Sequence, residues 1–392
     1  MKILHIIDYF QPILGYQETY LAKAQINKGH SVRVITSDRY APVLYIGCAS
    51  QEILGNRIKE NGIFVEEDIE VVRLKCKFEF LNNLWLENLE KTILEFKPDV
   101  IHVHGVPSVS SLRVSWLKSK LNDINLVYDD HMNFNAMRSV LVYPFYKIFK
   151  LFFSNIILKN ANELVAVTEE TKLFMNKMYG FPLDQIHVIP LGCDTKKFHR
   201  DEDARKKLRK KYAISDNQVV FCYVGKIIPD KRVDLLVNAA IEIMKTSKNL
   251  VVLCAGGADK DYLQSLKKIV SSSAFSNKFI FLQAVPSKEL YMYYSMADVG
   301  VWPKQCSITM LEAMACNLPL IVSDNSKATE GVANGDSGFT YREEDLSDLI
   351  KKMEIFMDLK VTSYMGNKAQ QISELYDWEN ISKSFEHLYG TS

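Results

Sequence analysis

Residues 299–324 read VGVWPKQCSITMLEAMACNLPLIVSD. Apolar, partly β-branched runs at Asp298–Trp302 and Leu318–Ser323 are expected strands, and a loop and a short helix lie between them. A strand–helix–strand unit of this size predicts parallel strands joined by a crossover. Ser307 and Thr309 stand where the helix begins, and either side chain could cap it. The free N–H groups and positive dipole end of such a helix suit a diphosphate. Glu312 follows about one turn later, where its carboxylate could accept two hydroxyl hydrogen bonds from a ribose. An ordinary capped helix with a surface glutamate explains the same residues, and capping chemistry alone favours that plainer reading.

The same alternation extends outward in both directions. A first set of strands is expected at Lys2–Asp8, Ser31–Thr36, Val100–His104, Leu126–Tyr128, Glu163–Val167 and His187–Pro190. A second set is expected at Val219–Gly225, Leu250–Ala255 and Phe279–Val285, before the two strands already named. Apolar strands alternating with helices predict βαβ units and a mainly parallel sheet covered on both faces. The charged run His199–Lys211 between the sets reads as a solvated linker helix, not as a nucleic-acid patch. The expected organisation is α/β: two Rossmann-like, doubly wound domains over 1–195 and 196–372, facing across a cleft, with 373–392 crossing back to the first. Doubly wound sheets place ligand sites at the carboxyl ends of their strands.

Composition narrows the choices. Among 392 residues, 48 Lys plus Arg balance 47 Asp plus Glu, so the net charge of +1 gives no general case for nucleic acid. The seven cysteines form no C-x-x-C pair, which argues for a reducing compartment and against a zinc ribbon or disulfide framework. MKILHIIDYF is interrupted by Asp8 and reads as a buried strand rather than a leader. No apolar run reaches the ~20 residues of a spanning helix. A cytoplasmic protein, with contact at the inner membrane face left open, is the expectation.

Four segments, taken together and in order, resemble the GT-B glycosyltransferases of family 4. They are Gly15-Tyr-Gln-Glu with Lys28-Gly-His-Ser-Val, Ile189-Pro-Leu-Gly-Cys-Asp-Thr-Lys-Lys-Phe, Tyr223-Val-Gly-Lys-Ile-Ile-Pro-Asp-Lys-Arg-Val-Asp-Leu-Leu, and the LEAMACNLP of residues 311–319. The resemblance implies retaining transfer of a hexosyl or N-acetylhexosaminyl group from a nucleotide-diphosphate sugar to a cell-surface glycan or lipid-linked acceptor. It implies no cofactor beyond that donor and no metal. Donor contacts carried over are Gly15, Gly225, Lys226, Lys231, Val285, Lys304, Cys306, Ser307, Ile308, Thr309 and Glu312. Lys226 and Lys231 would stabilise the departing diphosphate, and His131 would lie beside the donor sugar. The match departs at three places. Lys304 replaces the first glutamate of a paired motif and predicts a different sugar contact. Lys226 replaces an arginine and loses its fork. Tyr16 replaces a loop glycine.

His102 and His104, two apart at a strand end, share a face and could pair on a metal. No third ligand is near in sequence, and a buried hydrogen-bonded role is the stronger expectation. Asp129 and Asp130 resemble a metal pair, but the two lysines can do a cation's work. The segment from His131 to Asn162 holds no acidic residue, and its Arg138, Lys147, Lys150 and Lys159 are interleaved with six Tyr and Phe. This suits an anionic membrane surface and equally a helix packed by its aromatic face. Two further readings share the fold: a non-hydrolysing nucleotide-sugar epimerase, and a nucleotide-sugar-binding protein without activity.

Overall fold

A computed structural model describes residues 1–45, 54–80, 82–118, 120–121, 124–132, 134, 142–304, 307–324 and 335–390. Cys306 and Arg138, both singled out from the sequence, lie outside the described residues. Within the described residues the chain forms two compact units, one of 1–45, 54–191 and 378–390, the other of 192–377. The first unit therefore ends at 191 rather than 195. Residues 373–377, expected in the crossover, belong to the second unit, and the return begins at Trp378.

The first unit holds β1 (Lys2–Ile6), β2 (Ser31–Ser37), β3 (Gly62–Glu66), β4 (Ile69–Leu74), β5 (Cys76–Phe80), β6 (Asn83–Leu86), β7 (Val100–His104), β8 (Asn125–Asp130), β9 (Glu163–Ala166) and β10 (Ile186–Val188). Its helices are α1 (Gln17–Asn27), α2 (Leu89–Phe96), α3 (Val109–Lys118), α4 (Val142–Phe152), α5 (Ser154–Asn160) and α6 (Glu169–Phe174). Eight strands form one sheet in the order β10-β9-β8-β7-β1-β2-β4-β3. All pairs are parallel except β3 on β4 at the edge. The sequence reading missed β3 to β6. Exposed Ile63 and Val65 show that β3 is a wet edge, without the continuous apolar run of a buried strand.

Register sets which residues share a face. His5 pairs with His102 across β1 and β7, and His104 pairs with Asp129 across β7 and β8. The opposite face carries Leu4, Ile6, Ile101, Val103, Leu126 and Tyr128, all buried in one apolar core. The strand DVIHVH thus alternates apolar on one side and imidazole on the other, with period 2.

The second unit holds β11 (Val219–Val224), β12 (Leu250–Ala255), β13 (Phe279–Leu282), β14 (Val299–Trp302), β15 (Leu320–Ser323) and β16 (Gly338–Tyr341). Its helices are α7 (Glu202–Lys211), α8 (Val233–Met244), α9 (Lys260–Ser271), α10 (Leu290–Met296), α11 (Ile308–Ala315), α12 (Leu346–Ile355) and α13 (Leu359–Ser373). The all-parallel order β13-β12-β11-β14-β15-β16 reverses direction between β11 and β14. Ligands of such sheets bind outside the carboxyl ends at that switch point.

The charged run is not a solvated linker. In α7, Arg205 and Arg209 are one helical turn apart and face inward. Arg209 is 3% exposed, and both guanidiniums bind Asp298 and the carbonyls that end α10. Arginine is placed there because its fork satisfies the orphan carbonyls of a helix terminus and a buried carboxylate at once. The last helix, α14 (Trp378–Leu388), belongs to the first unit and stacks Trp378 on Tyr20 of α1, with ring centres 5.7 Å apart.

Candidate functional site

In the second unit the expected donor residues collect on loops at the carboxyl ends of β11, β13 and β14. β11 is followed by Gly225, with φ 154°, and β12 by Gly256, with φ 153°. A Cβ on Gly256 would stand 1.8 Å from the Gly225 carbonyl oxygen, so the two loops touch backbone to backbone only with glycine there. Exposed Lys226 follows, its carbonyl accepting from the Tyr223 hydroxyl at 2.8 Å. Lys231 ends the single turn Pro229–Lys231 on the same loop. Val285 lies half-buried on the loop after β13.

Ser307 holds the cap position of α11, as the sequence suggests, and its N–H donates to Met310 Sδ. Thr309 does not cap. Its hydroxyl donates to the Val224 carbonyl at 2.8 Å and lies 3.0 Å from Ser307 Oγ, tying α11 to the end of β11. Trp302 Nε1 donates to the same carbonyl at 3.1 Å. Ile308 begins α11 and is half-buried.

Glu312 is no surface glutamate. It is 6% exposed, and Tyr294 donates to Oε2 at 3.0 Å. Burial pushes its carboxyl up to about 7, against the Tyr294 hydrogen bond and the positive Lys197, both of which lower it. Sequence spacing could not reveal Tyr294, which comes from α10. A carboxylate buried at this depth, one turn into a helix at the switch point, is arranged for a specific polar partner.

Lys304 is not a bare cation. Its Nζ lies 3.1 Å from Glu344 and 3.4 Å from Glu343, on the loop after β16. Glu344 also pairs with Arg232, and Glu343 accepts from Ser323 at 2.7 Å. Arg232 sits at φ 50° and is further held by Asp234 at 3.1 Å. The lysine at 304 is thus matched by two glutamates that β16 delivers, a strand the sequence reading did not assign.

In the first unit, Gly15 has φ 69° and ends the turn Pro12–Leu14; a Cβ there would meet the Tyr20 hydroxyl at 2.7 Å. His131 follows β8 with its imidazole 40% exposed and Nε2 3.8 Å from Asp129 Oδ2. Burial works against its charged form, but the Asp129 carboxylate, then Glu18 and Asp130, outweigh this and push it up to about 9. Asp129 and Asp130 do not act as a pair. Asp130 accepts from the Tyr179 hydroxyl at 2.7 Å and from the Met132 N–H. Asp129 instead contacts His104 at 2.9 Å and His102 at 3.3 Å. A third imidazole, His5, joins them from β1, with Nδ1 2.9 Å from His104 Nε2. Strand register, invisible in sequence, supplied the neighbour that local spacing lacked.

Two family models match the chain: "Glycosyltransferase Family 4" over residues 19–197 and "Glycosyl transferases group 1" over residues 204–374. A GDP-mannose-dependent alpha-(1-6)-phosphatidylinositol monomannoside mannosyltransferase of Mycolicibacterium smegmatis is 28% identical over 46% of this chain and 48% of its own length. An alpha-monoglucosyldiacylglycerol synthase of Acholeplasma laidlawii is 24% identical over 78% of each chain. The chain spans about half the length of the first curated relatives it matches. Among solved structures, Anabaena HepE in complex with UDP superposes with a TM-score of 0.76 over 100% of both chains at 16% identity, which shows the fold. With both sheets, the glycine-tightened switch point and two family models that together reach from residue 19 to 374, the chain belongs to glycosyltransferase family 4 and has the GT-B fold.

Proposed function

We propose that the protein transfers a hexosyl group, with retention of configuration, from a nucleotide-diphosphate sugar to a glycan or lipid-linked acceptor. The single observation that carries this reading is the buried Glu312, one turn into the capped helix at the switch point of the second sheet. There the start of α11 suits the diphosphate, and Glu312 suits the ribose. Lys226 and Lys231 would meet the charge that develops on the leaving diphosphate. With these two lysines as its cations, the reading needs no metal. Relatives named for mannosyl and glucosyl transfer favour hexose over N-acetylhexosamine. Matches to glycosyltransferase models in both units favour transfer over epimerisation. The test is a panel of nucleotide sugars. One donor should raise the melting temperature by mass action and yield a glycosylated product only when acceptor is added. Isomerised donor without acceptor would support the epimerase, and binding without turnover the inactive reading.

The acceptor is proposed to be reached at a membrane surface. No described helix is long and apolar enough to cross one. In α4, Tyr146 and Phe149 are buried against the unit, whereas Ile148, Leu151 and Phe152 are 53%, 73% and 67% exposed. Exposed Lys147, near the Tyr143 ring, and Lys159 stand among them. An apolar, basic surface on a segment without acidic residues suits anionic lipid. Leu151→Asp with Phe152→Asp should lower recovery on anionic vesicles at least tenfold, since each exposed apolar side chain contributes about 1.5–3 kcal/mol on burial. Lys147→Glu should weaken binding in low salt only. Flotation that is equal on neutral and anionic vesicles sinks the membrane reading.

A further inference from the structure

The β5–β6 hairpin has two unlike faces. Its inward face carries Cys76, Leu84 and Leu86, all buried in the apolar core on one side of the first sheet. Its register sets Phe78 opposite Trp85 and Phe80 opposite Asn83 on the outward face. A hairpin that buries one face ordinarily shows water a polar one. Here Phe78, Phe80 and Trp85 are 62%, 61% and 48% exposed. These rings are also held in place. Phe78 and Phe80 stack with centres 6.3 Å apart, and the Arg113 guanidinium lies 4.5 Å from the centre of the Trp85 ring. Arg113 is in turn bound to Glu90 at 2.6 Å. An aromatic patch kept rigid in water marks a contact surface.

The hairpin is part of a continuous layer. Helices α2, α3, α4 and α5 contribute Ile93, Val114, Phe149 and Ile157 to the same core. Helix α3 lies against both β6 and α5, and α5 lies against α4. The outer surface of this layer also exposes Trp116 on α3 and Leu151 and Phe152 on α4. The opposite face of the sheet is covered by α1 and α14, where Gln25 of α1 and Tyr389 after α14 bond to His5 and His102. Neither of those helices exposes a large apolar side chain. Of the two layers on this sheet, only one is apolar outside.

We propose that the outer surface of this layer lies on a lipid bilayer from the hairpin to α4, with Phe78, Phe80 and Trp85 as its apolar anchor. The proposal rests on the membrane reading above and adds a second contact element to it. A bilayer accepts apolar side chains from the hairpin, α3 and α4 at once, because it has no fixed shape to match. Aromatic side chains, Trp above all, settle at its headgroup level. Charge at the hairpin is balanced, since Lys77 pairs with Glu87 at 3.2 Å and Arg113 with Glu90. The hairpin therefore binds by apolar burial, which persists in salt, whereas the pull of the α4 lysines on anionic lipid is screened.

Vesicles of phosphatidylglycerol and phosphatidylcholine, mixed with the full chain, provide the test. Trp302 and Trp378 are buried, so a quencher carried on lipid reaches only Trp85 and Trp116 among the four tryptophans. In Trp116→Phe, phospholipid with brominated acyl chains should quench the emission of Trp85. Phe78→Ser with Phe80→Ser should lower the partition coefficient about tenfold or more in about 1 M salt, where the screening length is about 3 Å. Both side chains face outward, so the melting temperature should stay unchanged, and the Trp85 signal decides the matter even if the double variant does not fold. Vesicle binding that leaves Trp85 unquenched, while Leu151→Asp with Phe152→Asp still releases the protein, overturns the hairpin contact and leaves the α4 reading standing. A parent protein that binds neither neutral nor anionic vesicles overturns both. Self-association that Phe78→Ser with Phe80→Ser abolishes, in a protein whose Trp85 no lipid quenches, gives this face to a second copy and overturns the proposal.

Discussion

Glu312→Ala should weaken donor binding about 100-fold and reduce kcat/KM at least as much. The carboxylate would accept two hydroxyl hydrogen bonds, and hydrogen bonds to a charged group contribute about 1.5–3 kcal/mol each. Its environment adds a pH dependence. The carboxyl, raised by burial to about 7, is ionised only above that pH in the free protein. Donor affinity should therefore be full above about pH 8 and decline as pH falls through 7, because the protonated acid is a poorer acceptor. Glu312→Gln should abolish that decline while retaining part of the affinity. Calorimetry with the free nucleoside diphosphate across pH 6–8.5 makes the measurement. Affinity that Glu312→Ala leaves unchanged would remove this residue from the site.

The second large effect concerns the loop after β11. Replacing Lys226 or Lys231 with alanine should lower kcat about 100-fold, with KM changing less than threefold. The reason is that the diphosphate gains its negative charge as the glycosidic bond breaks, and a fixed cation stabilises that state more than the ground state. Lys226→Arg should stay within about tenfold of the parent, since the exposed side chain has room for the guanidinium fork. Initial rates over a range of donor concentration separate the parameters. A raised KM at constant kcat would make these lysines ground-state binders only.

These expectations differ in how much of them was legible in the sequence. Loop and strand identities around Gly225, Ser307 and Glu312 follow from local chemistry: apolar runs bounded by glycine, and a serine before a helical stretch. Roles that depend on a partner from another element did not follow. Thr309 looked like a cap but turns to the Val224 carbonyl, because β11 lies beside β14 at the switch point. The ion pairs of Lys304 with Glu343 and Glu344 were likewise out of reach of local spacing, because both glutamates follow β16. The run His199–Lys211 looked solvated because its composition is charged. Which two of its arginines turn inward depends on Asp298 and the end of α10.

The sequence by itself determined the α/β class, two repeated doubly wound units, the family, and the loops proposed to carry the donor chemistry. All of these rest on period, punctuation and short motifs, which are local properties of the chain. Only the tertiary structure decided that Glu312 is buried against Tyr294, that edge strands β3 and β16 exist, and that His5, Gln25 and Tyr389 join His102, His104 and Asp129 in one buried polar cluster. Gln25 and Tyr389 are 364 positions apart along the chain. Their contact depends on strand register and on the docking of a terminal helix. The physical reason is that burial and hydrogen-bond partners are properties of the assembled neighbourhood, to which a residue's own sequence context contributes only one side.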